Sequence, residues 1–396
     1  MDMNARRFRV AEFFAGIGLV RLALEGECFD VVFANDIEPA KRDLYVANFG
    51  TEHFVLDDVR NVHGDAIPDV DIATASFPCT DLSLAGMRAG LAGEHSGMFW
   101  EFARVLEEMG SRRPRAVLLE NVAGFASSRG GEDMRAVLAK LNDLGYSCDV
   151  FAMDARWFLP QSRPRLFIVG SVDGGPAPRF AVSSRLRTPR LAGFLASHPS
   201  LRVHAHPLPP PPTSKKTLAS MVEHLSLDDE RWWTDERREA FVDSLSSIQA
   251  ARLSGMKRQA KPTWATAYRR TRRGSPVWEI RPDSVSGCLR TARGGSSKQA
   301  IVEAGGGDVR VRWMTPREYA RLQGAPAFKI KAARDSSVLF GFGDAVCVPV
   351  VAWIARNYLR PLLTGAFTAA ADEDSLPPCR IDTCRNLRAR TGVTTG

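Results

Sequence analysis

"DVDIATASFPC", residues 69 to 79, runs an apolar stretch into a proline and a cysteine. Ile72 to Ala75 carry no alternation of apolar and polar residues, so the run reads as a strand buried on both faces. Pro78 fixes its own φ and pins the direction of the chain that follows. A lone cysteine beside a strand is usually a small buried hydrophobe. Cys79 instead comes after a strand's carboxyl end, where open α/β sheets hold their ligands, and polar Thr80, Asp81 and Ser83 follow it. A nucleophilic thiol needs exposure and help in becoming thiolate. Cys79 is therefore the first candidate for chemistry.

Working outward, the same alternation recurs on both sides. "FRVAEFFAG" reads as a strand ending at Gly16, and "GLVRLALEGE" as a helix with Leu19, Leu22 and Ala23 on one face. "VVFAND" is a strand and "EPAKRDLYVANF" a helix. Beyond Cys79, "MFWEFARVLEEM" is a helix, "AVLLENV" a strand, and "EDMRAVLAKLNDLG" a helix ended by Gly145. "YSCDVFAMDA" and "LFIVGS" are two late strands. Apolar strands alternating with amphipathic helices predict an α/β fold with a parallel, doubly wound sheet.

The pattern breaks after about residue 171. "HPLPPPPTSKK" (206–216) reads as a polyproline-like linker or rigid loop. Residues 217 to 300 are aromatic, basic and punctuated by glycine, and suggest a smaller, irregular domain. Helical order resumes at "MTPREYARLQG", where Thr315, Pro316 and Glu318 spell a capping box. "AVCVPVVAWIARNYL" is a long apolar helix or a strand–helix pair. The expected division is a first unit over 1–174, a second over 175–290, a return to the first over 291–362, and a disordered tail over 363–396.

With 396 residues, two domains are the natural expectation. No run approaches the roughly 18 apolar residues of a membrane span, and "MDMNARRFRV" carries no apolar signal core, so a cytoplasmic protein without membrane contact is expected. Seven scattered cysteines, an odd number, suggest no disulfide framework, and no metal site is expected. The net charge is +8, yet residues 251–300 alone hold twelve Lys/Arg against two Asp/Glu. That concentration is the footprint of a polyanion, or a solvated face.

Five further motifs could carry chemistry. "FFAGIG" is a strand-to-helix glycine turn in which Gly16 and Gly18 allow close approach of a ligand. Asp36 of "ANDIE" and Asp58 of "LDDVR" follow at successive strand ends, where acids hold ribose hydroxyls. Glu120 of "LLENV" ends an apolar strand, where burial would push its carboxyl up and let it donate a proton. Arg163 and Arg165 of "QSRPRLFIVG" alternate on a strand and should point to one side.

In this order, "FFAGIG", "ANDIE", "DDV", "SFPC", "ENV", "QSRPR", "TPREYARLQG" and "GDAV" resemble the C5-cytosine DNA methyltransferases of prokaryotic and phage restriction-modification type. The resemblance covers residues 8 to about 170 and about 285 to 360. It implies a Rossmann-like S-adenosyl-L-methionine-dependent methyltransferase domain with a smaller target-recognition domain. Cys79 would attack C6 of a cytosine flipped out of duplex DNA, Glu120 would meet N3 and the exocyclic amine, and Arg163 and Arg165 would hold the base and the backbone. Phe14, Gly16, Ile17 and Gly18 would cradle the cofactor, Asp36 the ribose, and Ile37, Asp58 and Val59 the adenine. Pro78 and Met98 would close the methionine side, and Asp344 and Val346 would complete the pocket. "SLAGMRAGLAGEHSG" would close over DNA as a lid, and "TARGGSSK" would enter a groove.

The chain departs from the family at Asp344, where asparagine is usual, at Ile37, where an aromatic is usual, and at Thr80, where glutamine is usual. The expected partner is double-stranded DNA bound by a monomer, with a possible cognate restriction endonuclease acting separately. Two alternatives remain: methylation of cytosine in transfer RNA, and a catalytically silent DNA-binding relative. An amino-methyltransferase is disfavoured, because that chemistry uses an Asp/Asn-Pro-Pro-aromatic turn where this chain reads Ser76-Phe77-Pro78-Cys79.

Overall fold

The computed structural model describes residues 7–78, 97–177, 184–272, 274–290, 298–330 and 333–369. Cys79 and Thr80, the expected lid but for Gly97, nearly all of "TARGGSSK" and the tail from residue 370 lie outside the described residues. The first sheet contains β1 (Phe8–Phe13), β2 (Phe29–Asp36), β3 (Phe54–Leu56), β4 (Ile72–Ala75), β5 (Ala116–Val122), β6 (Ser147–Asp154) and β7 (Pro164–Ser171), in the order β3-β2-β1-β4-β5-β7-β6. Strands β1 to β5 pair in parallel. The sheet is thus mainly parallel, as expected, and β7 alone runs antiparallel, to both β5 and β6. The connection from Asp154 to Pro164 contains no crossover helix, and strands so joined return antiparallel.

Strand residues alternate between two cores, as a doubly covered sheet requires. Val10, Ile72 and Leu118 pack with α1 (Leu19–Glu25), α2 (Pro39–Phe49) and the C-terminal helices. Ala11, Phe13, Ala73, Val117 and Leu119 pack with α3 (Met98–Glu108) and α4 (Glu132–Asp143). Phe99, Phe102 and Leu106 place one apolar stripe of α3 in this core, and the Phe102 ring meets Phe13 edge-on at 5.2 Å. Phe102→Ala at such a site costs about 3–5 kcal/mol.

After α5 (Pro189–Ala196), α6 (Asp235–Asp243) and α7 (Ser247–Lys257) comes a second sheet. It contains β8 (Thr263–Arg272), β9 (Ser275–Ile280), β10 (Gln299–Gly305) and β11 (Asp308–Trp313), in the antiparallel order β11-β10-β8-β9. The second unit is therefore not irregular. Its β10 and β11 also correct the return placed at residue 291, since both belong to this sheet. Gly306 and Gly307, with φ of 61° and 90°, turn β10 into β11 as only glycine does readily.

The chain rejoins the first unit through α8 (Pro316–Leu322), whose capping box between Thr315 and Glu318 is present as expected. Then α9 (Asp335–Asp344), α10 (Val348–Ile354), α11 (Arg360–Thr364) and α12 (Ala366–Ala369) follow. Leu363 is buried, so the tail expected to be disordered from 363 begins as helix. Contrary to the expectation of no span-length apolar run, Asp335–Thr364 forms a helical stretch apolar enough to cross a membrane, but 61% of its most apolar window is buried inside the protein.

Candidate active site

The glycine turn leaves β1 with backbone that L-residues rarely adopt: Phe14 has φ 56°, Gly16 58° and Gly18 84°. A Cβ on Gly18 would stand 2.5 Å from the Phe49 ring, whereas one on Gly16 would meet nothing nearer than the Phe14 carbonyl at 4.0 Å. Gly18 thus serves helix packing, and Gly16 keeps the outer side of the turn open. The Gly16 amide donates to Asp36 Oδ2 at 2.8 Å, and the Glu38 amide donates to Asp36 Oδ1 at 2.9 Å. Both oxygens keep acceptor capacity. Ile37 is 62% exposed beside this acid, and Leu56, opposite Asp36 in the β2–β3 register, is also exposed.

Buried Asn35 donates to the carbonyls of Val55 and Asp57 and so fixes the approach to Asp58. Asp58 accepts from the Arg60 amide and guanidinium, which hold its carboxyl below the ordinary range despite some burial. Arg104 of α3 donates to the Val59 and Val62 carbonyls and moors this segment to the helix that Met98 begins. Ile17, Val59 and Val346, expected to line the cofactor site, are buried in the core. An open turn, an acid with free acceptor capacity and an exposed apolar rim fit an adenine nucleoside.

The second half of the site lies at the ends of β5 and β7. Glu120 and Val122 oppose Phe167 and Arg165, which makes Glu120 and Arg165 diagonal neighbours on one face. Arg165 Nε meets Glu120 Oε1 at 2.9 Å, with the side chains 16% and 12% exposed. The lone desolvated carboxyl expected from sequence therefore has a cationic partner. Asn121, on the opposite face, donates to the Phe77 carbonyl at 3.4 Å. This bond ties the Glu120 strand to the Phe77-Pro78 segment that leads to Cys79. Phe77 itself is packed against Phe99 and Phe125.

Arg163 and Arg165 do reach one place: their guanidinium groups lie 3.3 and 3.8 Å from Cys288 Sγ. Burial opposes ionisation of that thiol, and the two arginines outweigh it, holding the thiol below its ordinary range. Arg163 is only 2% exposed, however, and donates to the carbonyls of Leu289, Gly343 and Ala345. It joins the start of β7 to the segment between β9 and β10 and to the end of α9. Gln323 donates to the Phe342 and Ala345 carbonyls and secures the same return. The Asp344 carboxylate there pairs with Lys41 Nζ at 2.9 Å. No sequence motif marks Lys41 or Cys288, whereas Asn35 stands inside "ANDIE" and Gln323 inside "TPREYARLQG". Asn121 stands inside "ENV" and was legible as part of it.

A parallel sheet with one reversed strand next to its edge, a glycine turn after β1 and an acid after β2 define a Rossmann-like, S-adenosyl-L-methionine-dependent methyltransferase. The family model for C-5 cytosine-specific DNA methylases matches residues 8–360, and the chain belongs to that family. It is 28% identical over 369 residues to the type II methyltransferase M.NlaX of Neisseria lactamica, covering 92% of this chain and 99% of that protein. It is 36% identical over 160 residues to the type II methyltransferase M.BsuFI of Bacillus subtilis, covering 40% of this chain and 38% of that one. Among solved structures, the Dnmt2 methyltransferase of S. pombe superposes with a TM-score of 0.55 at 19% identity, covering 90% of this chain and 99% of that one, which shows the fold alone. The protein is thus an enzyme of the DNA (cytosine-5-)-methyltransferase class.

Proposed function

We propose that the chain methylates C5 of a cytosine flipped out of a specific duplex DNA sequence, through a covalent adduct between Cys79 and C6. S-adenosyl-L-methionine supplies the methyl group. The observation that carries this reading is the Glu120–Arg165 pair, fastened through Asn121 to the segment entering Cys79. A carboxyl group beside a guanidinium donor complements a cytosine: the carboxyl can accept from the exocyclic amine and, carrying a proton, donate to N3, and the guanidinium can donate to O2 next to them. In this reading the Cys79 thiolate adds to C6 while the Glu120 carboxyl passes a proton to N3, where negative charge would otherwise develop, and C5 becomes nucleophilic enough to take the methyl group. Loss of the C5 proton and elimination of the thiolate restore the ring. Asp36 would hold the ribose, Ile37 and Asp58 would flank the adenine, and Phe14, Gly16 and Gly18 would line the turn beneath. Pro78 and Met98 would close the methionine side.

The second sheet unit, with its local excess of basic residues, would read the target across a cleft from the first. We further propose one chain per DNA site, in the cytoplasm, with any cognate restriction endonuclease acting separately. The test is methyl transfer from tritiated cofactor to DNA and to transfer RNA from a methylation-free host. Label in DNA, recovered as 5-methylcytosine, is expected. Label in the RNA alone contradicts the DNA reading.

A further inference from the structure

The Asp344 carboxylate stands where the family resemblance leads one to expect a neutral asparagine, and an added negative charge at the cofactor site needs an account. Arg163 donates to the carbonyls on both sides of Asp344, and Gln323 also holds Ala345, so the backbone there is fixed. The neighbouring α9 lies on the glycine turn, since a Cβ on Gly341 would stand 2.5 Å from Ile17 Cγ2. From the facing helix α2, Lys41 meets Asp344 Oδ2 at 2.9 Å, with side chains 17% and 41% exposed. The Phe340 ring lies beneath the ammonium at 5.3 Å. Burial opposes the Lys41 charge, but Asp344, Asp36 and Glu38 together outweigh it and hold the amine above its ordinary range.

We propose that Lys41 and Asp344 are a compensating pair: Lys41 cancels the charge that Asp344 brings to the site, and together they do what a neutral residue would do alone. Lys41 is a positioning residue that also bridges α2 to the returning chain and closes the crevice edge. The inference rests on the S-adenosyl-L-methionine site being where Gly16 and Asp36 indicate. It has a direct electrostatic consequence. The cofactor carries a positive sulfonium, whereas the product, S-adenosyl-L-homocysteine, has a neutral thioether at the same point. An uncompensated Asp344 favours the first over the second, and an uncompensated Lys41 does the reverse.

Calorimetric titration of wild type, K41M, D344N and the double variant with both compounds tests this. Lys41→Met should shift the ratio of the two affinities about threefold toward the sulfonium compound, and Asp344→Asn about threefold away from it. The double variant should return to within about twofold of wild type, and melting temperatures identify any variant that has merely lost its fold. Single variants that move both affinities equally, or that both shift the ratio in the same direction, overturn the pair. Failure of the wild type to bind either compound overturns the cofactor site itself, a distinguishable result.

Discussion

Glu12 lies on β1, two residues before Phe14, and is 1% exposed. Burial pushes its carboxyl from 4.5 up to about 8, and Arg21 only partly offsets this. The folded state therefore keeps a proton that the unfolded chain releases as pH rises from about 4.5 to about 8. The stability this group contributes is fully present below that window and is lost as pH rises through it. Glu12→Gln keeps the neutral shape and removes the titration. Urea unfolding of both proteins should show wild type losing several kcal/mol relative to E12Q between about pH 5 and about pH 9. Parallel pH profiles contradict a buried neutral Glu12. At the Glu120–Arg165 pair, the proposed mechanism predicts that Glu120→Gln lowers methyl transfer by about 100-fold or more, since a proton-handling group is lost. Cofactor affinity should stay within about twofold, because the proposed role of Glu120 is toward the base. A single-turnover rate and a calorimetric affinity on the same preparation check both halves.

Among the elements, the joint between β11 and α8 carries the clearest prediction. Arg312 and Glu318, each 1% exposed, form an ion pair, and Glu318 also accepts from the Thr315 and Glu223 amides. Removing one charge leaves the other buried without its partner, so Arg312→Met should cost about 3–5 kcal/mol. Replacing both partners with apolar residues should cost less, and chemical denaturation of the three variants measures the difference. This joint also shows what a sequence makes legible. The capping box could be read because Thr315, Pro316 and Glu318 lie within one turn and signal locally. The β10–β11 hairpin is equally local, with Gly306 and Gly307 between two apolar runs, but only the pairing of β10 with β8 assigns it to the second sheet rather than to the returning first unit. The reversal of β7 was not legible, since both directions give the same apolar pattern and only pairing with β5 distinguishes them. Sequence alone makes Arg163 a ligand-facing charge. The carbonyls that bury it belong to residues 289 and 343–345, brought there by the tertiary fold.

At the scale of the whole molecule, the first unit supplies the glycine turn, the acid of β2 and the Glu120–Arg165 pair, and the second supplies a basic sheet. The surplus over residues 251–300 is partly spent internally, since Arg272 pairs with Glu279 and Arg281 with Asp283. The exposed remainder, Lys261 and Arg290 among it, should meet phosphates. Binding to duplex DNA should therefore weaken steeply with salt, each phosphate contact adding about −0.9 to the log–log slope. A flat response contradicts that face. The measurement that bears most directly on the central claim is bisulfite sequencing of DNA from a methylation-free host expressing this chain, beside its Cys79→Ala variant. The account predicts 5-methylcytosine at one short recurring sequence, absent with the variant. Methylation that persists without Cys79, or DNA left unmethylated by the intact chain, would contradict it.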